Sequence, residues 1–205
     1  MNMSSINEVV TALRSRLAPP DQALSLLPPP ELASRPLRRA AVLLPLFEAD
    51  HLPCLLLIRR SPTLRTHGGE IAFPGGSVDP QDRDAVMTAL REAQEEIGLS
   101  PERAEVLGLL PPSFTLVTGF WITPVVAFLP SGPGPLTLQA SEVAEVIRAP
   151  LPSLADPHIF HSEIWDSAGL RRTVYFYEYG PYRIWGATAR ILHQLLSLLE
   201  ESTAQ

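Results

Sequence analysis

The chain has 205 residues, of which 45% are hydrophobic, and this suits a single domain with a sizeable core. Its net charge of −6 excludes the basic surface of a general nucleic-acid-binding protein but not a small phosphorylated substrate. The apolar runs are too short for a membrane span and no secretory signal pattern is visible at the N-terminus. Cys54, the single cysteine, is expected to be a buried inert thiol in a reducing compartment, so we expect a cytoplasmic protein.

The predicted elements begin with a short helix over residues 6–18, followed by a proline-rich stretch. Residues 1–36 are therefore expected to form an extension ahead of a domain over residues 37–202. The sequence leaves three roles open for this extension: it covers a cleft, joins a homodimer contact or packs on the sheet.

Residues 38–50 and 52–61 predict two strands joined by a polar turn, and residues 69–76 predict a short strand that ends in a Gly-Gly turn. The clearest helix spans residues 84–98, with Asp82 or Asp84 as its N-terminal cap.

Further strands are predicted in AEVLGLL, in ITPVVAFL and in EVAEVIRAPLPSL, the last of which runs into a short turn or helix. IFHSEIWD and TVYFYEY predict a hairpin, and residues 185–202 predict a closing amphipathic helix. Strands mixed with a central and a C-terminal helix indicate an α/β or α+β sandwich.

Three carboxylates, Glu92, Glu95 and Glu96, fall within little more than one turn of the central helix, in a patch beside its apolar seam. Two unit charges about 5 Å apart repel by about 3 kcal/mol at an effective dielectric near 20. Arg91 precedes Glu95 in the less favourable order, so ion pairing within the helix is predicted to be weak. Either water screens a solvated acidic face, or Mg²⁺ or Mn²⁺ converts the repulsion into ligation.

GGSVDPQDRDAVMTALREAQEEIGL, residues 75–99, closely resembles the Nudix box, the signature of hydrolases of nucleoside diphosphates linked to another moiety. The matching residues are Gly76, Arg91, Glu92, Ala93, Glu95, Glu96, Gly98 and Leu99. The first glutamate of the family pattern is replaced by Asp82, and the spacer before Arg91 is one residue longer. These two departures leave the role of Asp82 open, with Asp84 as a substitute.

LLIRRSPTLRTHGGEIAFPGG, residues 56–76, is similar to an additional signature of the coenzyme A pyrophosphatase branch of this family. IWGATARIL near the C-terminus also resembles that branch. The similarity therefore extends, with gaps, from about residue 38 to about residue 200.

The resemblance implies an α/β/α sandwich with a mixed sheet between helices, and Mg²⁺- or Mn²⁺-dependent hydrolysis of a pyrophosphate linkage. For the branch it implies cleavage of coenzyme A to 4′-phosphopantetheine and adenosine 3′,5′-bisphosphate. By the same resemblance Glu92 and Glu96 are metal ligands, and Glu95 completes the site or orients the water. The alternatives are a Nudix hydrolase of ADP-ribose, a dinucleotide or a nucleoside triphosphate, and a Nudix-fold binding module without catalysis.

Some Nudix relatives take a general base from a late loop, and by position Glu142 is the first candidate and Glu145 the second. A surface glutamate is the alternative reading of both. Arg60 and Arg65 are candidates for substrate binding, because the guanidinium fork matches phosphate. Arg91 is expected to brace the helix and its loop.

Two neighbouring aromatic residues complete the candidates. Phe120 and Trp121 could stack on an adenine ring, or they could belong to the core, as aromatic side chains more often do.

Overall fold

The computed structural model describes residues 5–20, 37–115, 119–167 and 170–200. Its strands are β1 (Arg38–Ala49), β2 (Leu52–Arg60), β3 (Ile71–Ala72), β4 (Gly75–Ser77), β5 (Glu105–Leu109), β6 (Ser113–Thr115), β7 (Phe120–Phe128), β8 (Val143–Pro150), β9 (Phe160–Ser167), β10 (Leu170–Tyr179) and β11 (Tyr182–Trp185). Its α-helices are α1 (Ile6–Arg16), α2 (Ala85–Ile97), α3 (Leu151–Leu154) and α4 (Gly186–Glu200), and short 3₁₀ helices cover Pro101–Arg103 and Pro157–Ile159.

The main sheet is mixed. Five strands follow the order β3–β2–β1–β7–β5, and β4, β8 and β6 pair with β1, β2 and β7 respectively. β1 and β7 run parallel, whereas the other pairs of this sheet are antiparallel. The central strands are buried on both faces, and Cys54 on β2 is 3% exposed, as predicted.

Helices cover both faces of this sheet. On one face, Ala89, Ala93 and Ile97 of α2 pack with Leu43 and Val125 of the central strands. On the other face, α1 and α4 share a second core with the strands, which contains α4 residues such as Leu192 and Leu195. The predicted sandwich of a mixed sheet between helices is confirmed.

The ends of α2 are set by local chemistry. The Asp84 carboxylate accepts a hydrogen bond from the backbone N–H of Met87 at 2.8 Å, so Asp84, and not Asp82, is the N-terminal cap. The helix stops at Gly98, which adopts a left-handed conformation with φ of 70°. These two residues fix the register with which α2 presents its acids.

A smaller antiparallel sheet, β11–β10–β9, follows the main sheet in the chain and packs on α4. The ring of Phe160 stacks on His193 of α4 with centroids 5.1 Å apart, and the Tyr177 hydroxyl lies 3.2 Å from Nδ1 of the same histidine. The predicted β9–β10 hairpin is confirmed. In the described part of the chain, no helix is long and apolar enough to cross a membrane.

Candidate active site

Glu92 and Glu96 lie one turn apart on α2, and both carboxylates face the glycine turn of β4. A Cβ atom placed on Gly76 would lie 2.6 Å from the Glu92 carboxylate carbon and from both of its oxygens. The backbone N–H of Gly75 donates a hydrogen bond to Oε2 of Glu96 at 3.0 Å. The two glycines therefore let the backbone approach two carboxylates at a distance that a side chain would block.

Glu96 is only 2% exposed, so the prediction that all three acids lie beside the core contact of the helix is wrong for this residue. The reason is β4, which covers the helix at this point. Burial raises the pKa of Glu96 to about 7, because the Gly75 N–H and the Arg60 guanidinium, 3.6 Å from Oε1, offset the lost hydration only in part. The positive charge around the buried Glu96 is therefore too small to offset the loss of hydration of its carboxylate.

Glu92 is 16% exposed and lies nearer the surface. Burial also raises the pKa of this carboxyl, and the Arg91 guanidinium 3.0 Å away opposes that rise. Glu95 and Glu142 add repulsion to the charged form of Glu92. Glu142, a negative side chain from outside the helix, thus contributes to the field at this site.

Arg91 connects the acids of α2 to the loop that precedes the helix. Its Nε and Nη2 donate to the two oxygens of Asp82 at 3.1 and 2.9 Å, and Nη1 donates to Glu95 at 2.9 Å. Nη2 also donates to the Ser77 carbonyl at 3.2 Å and lies 3.0 Å from Glu92. The prediction of weak ion pairing was wrong, because the guanidinium fork reaches both the loop and the helix. The predicted bracing role of Arg91 is confirmed.

Asp82 occupies the place of the first glutamate of the Nudix box. Its side chain is 1% exposed and also accepts hydrogen bonds from the Thr88 hydroxyl and the Asp79 N–H, both at 2.9 Å. Its bidentate hydrogen bond with Arg91 is the main cause that lowers the pKa of Asp82 to about 2. Asp82 is therefore negatively charged at neutral pH and pairs with the Arg91 guanidinium.

Arg60 and Arg65, the predicted substrate-binding residues, stand at the two ends of one segment. Arg60 ends β2 beside Glu96, and its buried Nε has no hydrogen-bond partner among the described residues. Arg65 is exposed in the loop between β2 and β3. Arg60 is thus next to the carboxylates, and Arg65 is on the open surface of the adjoining loop.

The two candidate bases differ in their surroundings. Glu142 is exposed just before β8, and its charge repels both Glu92 and Glu96. Glu145 instead forms an ion pair with Arg59 at 3.1 Å and accepts a hydrogen bond from a tyrosine hydroxyl. The geometry favours Glu142 over Glu145 as a group that can reach the site.

The donor set fits a hydrated divalent cation. Within the described residues, no three His, Cys, Asp or Glu side chains are arranged as a metal cluster. Mg²⁺, however, keeps several waters and commonly uses only one or two carboxylates, and Glu92 and Glu96 supply two. The close approach of Gly76 to Glu92, and the undercompensated charge of Glu96, both suit an added cation.

Two helix carboxylates, one of them buried, face a glycine turn inside an α/β/α sandwich, and this arrangement suits a metal-assisted hydrolase of phosphoanhydrides. A family model described as the NUDIX domain matches residues 36–164. The chain belongs to the Nudix family and is a hydrolase of a pyrophosphate linkage.

The sequence relatives support the same assignment. The uncharacterized Nudix hydrolase NudL of Photorhabdus laumondii is 44% identical over 174 residues, which is 84% of this chain and 90% of that protein. Its namesake in Pectobacterium atrosepticum is 41% identical over 169 residues, or 82% of this chain and 86% of that protein.

Solved structures share the fold. The structure of an Ap4A hydrolase of C. elegans in a binary complex aligns with a TM-score of 0.53 at 17% identity, and covers 82% of this chain and 98% of that one. A NUDIX hydrolase of Alicyclobacillus acidocaldarius also aligns at 0.53, with 19% identity, over 80% of this chain and 93% of that one.

Proposed function

We propose that this Nudix hydrolase cleaves the pyrophosphate linkage of coenzyme A or its derivatives, releasing 4′-phosphopantetheine and adenosine 3′,5′-bisphosphate. The observation that carries the proposal is the position of residues 56–76, the stretch that resembles the coenzyme A branch. This stretch forms the second half of β2, the following loop, β3 and the start of β4, and it ends at the two glycines that face Glu92 and Glu96.

In this proposal Glu92 and Glu96 hold Mg²⁺ or Mn²⁺, with the Gly76 carbonyl as a further oxygen ligand. A bound divalent cation would polarise phosphoryl oxygens and lower the pKa of bound water. Arg60 and Arg65 bind phosphate oxygens, because both guanidinium groups belong to the segment that adjoins the carboxylates.

In the proposed reaction the oxygen of water forms a bond to one phosphorus atom, and the bond from that phosphorus to the bridging oxygen breaks. The bridging oxygen leaves with the other phosphate. Glu142 accepts a proton from the attacking water, which is supported by its exposure and its nearness to both helix carboxylates. Glu95, which Arg91 holds at 2.9 Å, orients that water or completes the ligand set.

The test is a substrate panel of coenzyme A, ADP-ribose and Ap4A, with and without Mg²⁺ or Mn²⁺, and with the products identified by mass. We expect metal-dependent release of adenosine 3′,5′-bisphosphate from coenzyme A. Brisk turnover of ADP-ribose without turnover of coenzyme A would assign the chain to another Nudix substrate. Binding of these compounds without hydrolysis would make it a non-catalytic module.

Arginine variants test the substrate contacts separately from catalysis. Arg60→Gln and Arg65→Gln are expected to raise KM for coenzyme A by about tenfold each, because each removes one charge-assisted contact to phosphate. Arg148→Gln is the matched control, since Arg148 is exposed on β8 and its loss should leave KM unchanged. If the KM values of all three variants equal that of the wild type, neither arginine belongs to the substrate site.

A further inference from the structure

A row of four side chains crosses the main sheet at one level, on β1, β7, β6 and the residue that follows β4. The N–H of Val78 donates to the Arg39 carbonyl at 3.0 Å, which places these residues opposite each other. Arg39 is in turn the register partner of Trp121, and Trp121 is the partner of Phe114. Residues directly opposite each other project from the same face of a sheet. We call Val78, Arg39, Trp121 and Phe114 the aromatic row.

The aromatic row lies on the face that carries the helix carboxylates. Gly76 pairs with Ala41, which is buried in the core beneath α2, and a side chain on Gly76 would meet the Glu92 carboxylate. Arg39 precedes Ala41 by two residues and Val78 follows Gly76 by two, so both project toward the same side. The row is therefore the next level of the same face, about 7 Å along the strands from Gly76.

The row combines stacking surface with positive charge. Arg39 is exposed and Val78 is 36% exposed, whereas Trp121 and Phe114 are half-buried. A half-buried indole offers a flat face to a nucleobase, and an exposed guanidinium offers a fork to a phosphate. From the spacing of residues and strands, Trp121 lies about 12 Å from Gly76, a separation that a ribose and its base can span.

We propose that the aromatic row receives the nucleoside half of the substrate, with a purine base stacked on Trp121 and a ribose phosphate facing Arg39. The identity of this substrate rests on the proposed coenzyme A pyrophosphatase function. The row adds a contact for the ribose phosphate, distinct from the contacts of Arg60 and Arg65 with the pyrophosphate.

The chain supplies a matched control on the opposite face. Arg38 and Phe120 immediately precede Arg39 and Trp121, and they are also register partners of each other. The guanidinium carbon of Arg38 lies 4.1 Å from the centre of the Phe120 ring. The two pairs thus have the same strands and similar side-chain chemistry, but neighbouring residues of a strand point to opposite faces.

Calorimetric binding of adenosine 3′,5′-bisphosphate to the full chain in Mg²⁺ tests the row without turnover. Trp121→Leu is expected to weaken binding by about tenfold to a hundredfold, and Arg39→Gln by about tenfold. Arg38→Gln and Phe120→Leu are expected to change the affinity by less than about twofold. For AMP, which lacks the 3′-phosphate, Trp121→Leu should still weaken binding, whereas Arg39→Gln should have little effect.

Unchanged affinity in Arg39→Gln and Trp121→Leu would overturn the proposal, and so would equal losses in Arg38→Gln and Arg39→Gln. Thermal melts identify a variant that fails to fold, and the exposed Arg39 keeps the comparison decisive if Trp121→Leu does not fold. The proposed function alone would fail if Trp121→Leu weakens the binding of AMP but the wild type does not hydrolyse coenzyme A. If the wild type hydrolyses coenzyme A but Arg39→Gln and Trp121→Leu bind with unchanged affinity, only the proposed role of the aromatic row is refuted.

Discussion

Replacing the buried Glu96 by glutamine is expected to stabilise the metal-free protein above neutral pH. Burial raises the pKa of this carboxyl from 4.5 to about 7. Below pH 4.5 the group is protonated in both states and contributes no difference. Between pH 4.5 and 7 the unfolded chain releases the proton while the folded chain keeps it, so stability falls as the pH rises. At about 1.4 kcal/mol per pKa unit, the loss reaches about 3 kcal/mol by pH 8.

Urea unfolding in EDTA at pH 5, 6, 7 and 8 measures this effect. The free energy of unfolding of Glu96→Gln minus that of the wild type should grow by about 2.5 kcal/mol from pH 5 to pH 8. Glu95→Gln is the control: Glu95 is 60% exposed, so its difference from wild type should stay nearly constant. Mg²⁺ should restore the wild type at pH 8 and should have less effect on Glu96→Gln. A difference that does not vary with pH would refute the reasoning.

Three further variants test the site. Asp82→Ala should lower the free energy of unfolding by about 2 kcal/mol, measured in urea at pH 7, because it removes the bidentate partner of Arg91. Because the pKa of Asp82 is lowered, the wild type keeps this stabilisation above about pH 4 and loses it as the pH falls toward 2. If the difference in free energy of unfolding between the wild type and Asp82→Ala stays constant over that range, the assignment is contradicted. Glu142→Gln should reduce kcat by about a hundredfold or more without weakening Mg²⁺ activation, and a near-normal kcat would remove it as the base. Gly76→Ala should raise the Mg²⁺ concentration for half-maximal activity by about tenfold, because its Cβ displaces the Glu92 carboxylate; unchanged activation with an unchanged circular dichroism spectrum would argue against that contact.

Much of the fold was predictable because it depends on local patterns. The hydrophobic period of α2, the hairpin of β1 and β2 and the closing helix are each encoded by neighbouring residues, and the structure confirms them. The predicted strand over residues 69–76 divides into two, because β3 pairs with β2 whereas β4 pairs with β1. β6 and β11 were not predicted, since three or four residues carry too little periodicity.

The surroundings of the acids could not be predicted, because they depend on contacts outside the helix. Helix pairing rules consider only positions three and four apart, whereas the main partner of Arg91 is Asp82, nine residues before it. The burial of Glu96 comes from β4, whose Gly75 lies 21 residues before it in the chain. The sequence did contain one usable signal, the two adjacent glycines, which permit such a close approach.

The bidentate contact between Asp82 and Arg91 links the two departures from the Nudix box. An aspartate is one methylene shorter than a glutamate, and the additional spacer residue changes where the helix begins relative to the loop. Together they still bring carboxylate and guanidinium to 2.9 Å. The contact forms with both departures present, so a strict search for the family pattern would miss a loop that still joins its acidic residue to the arginine of the helix.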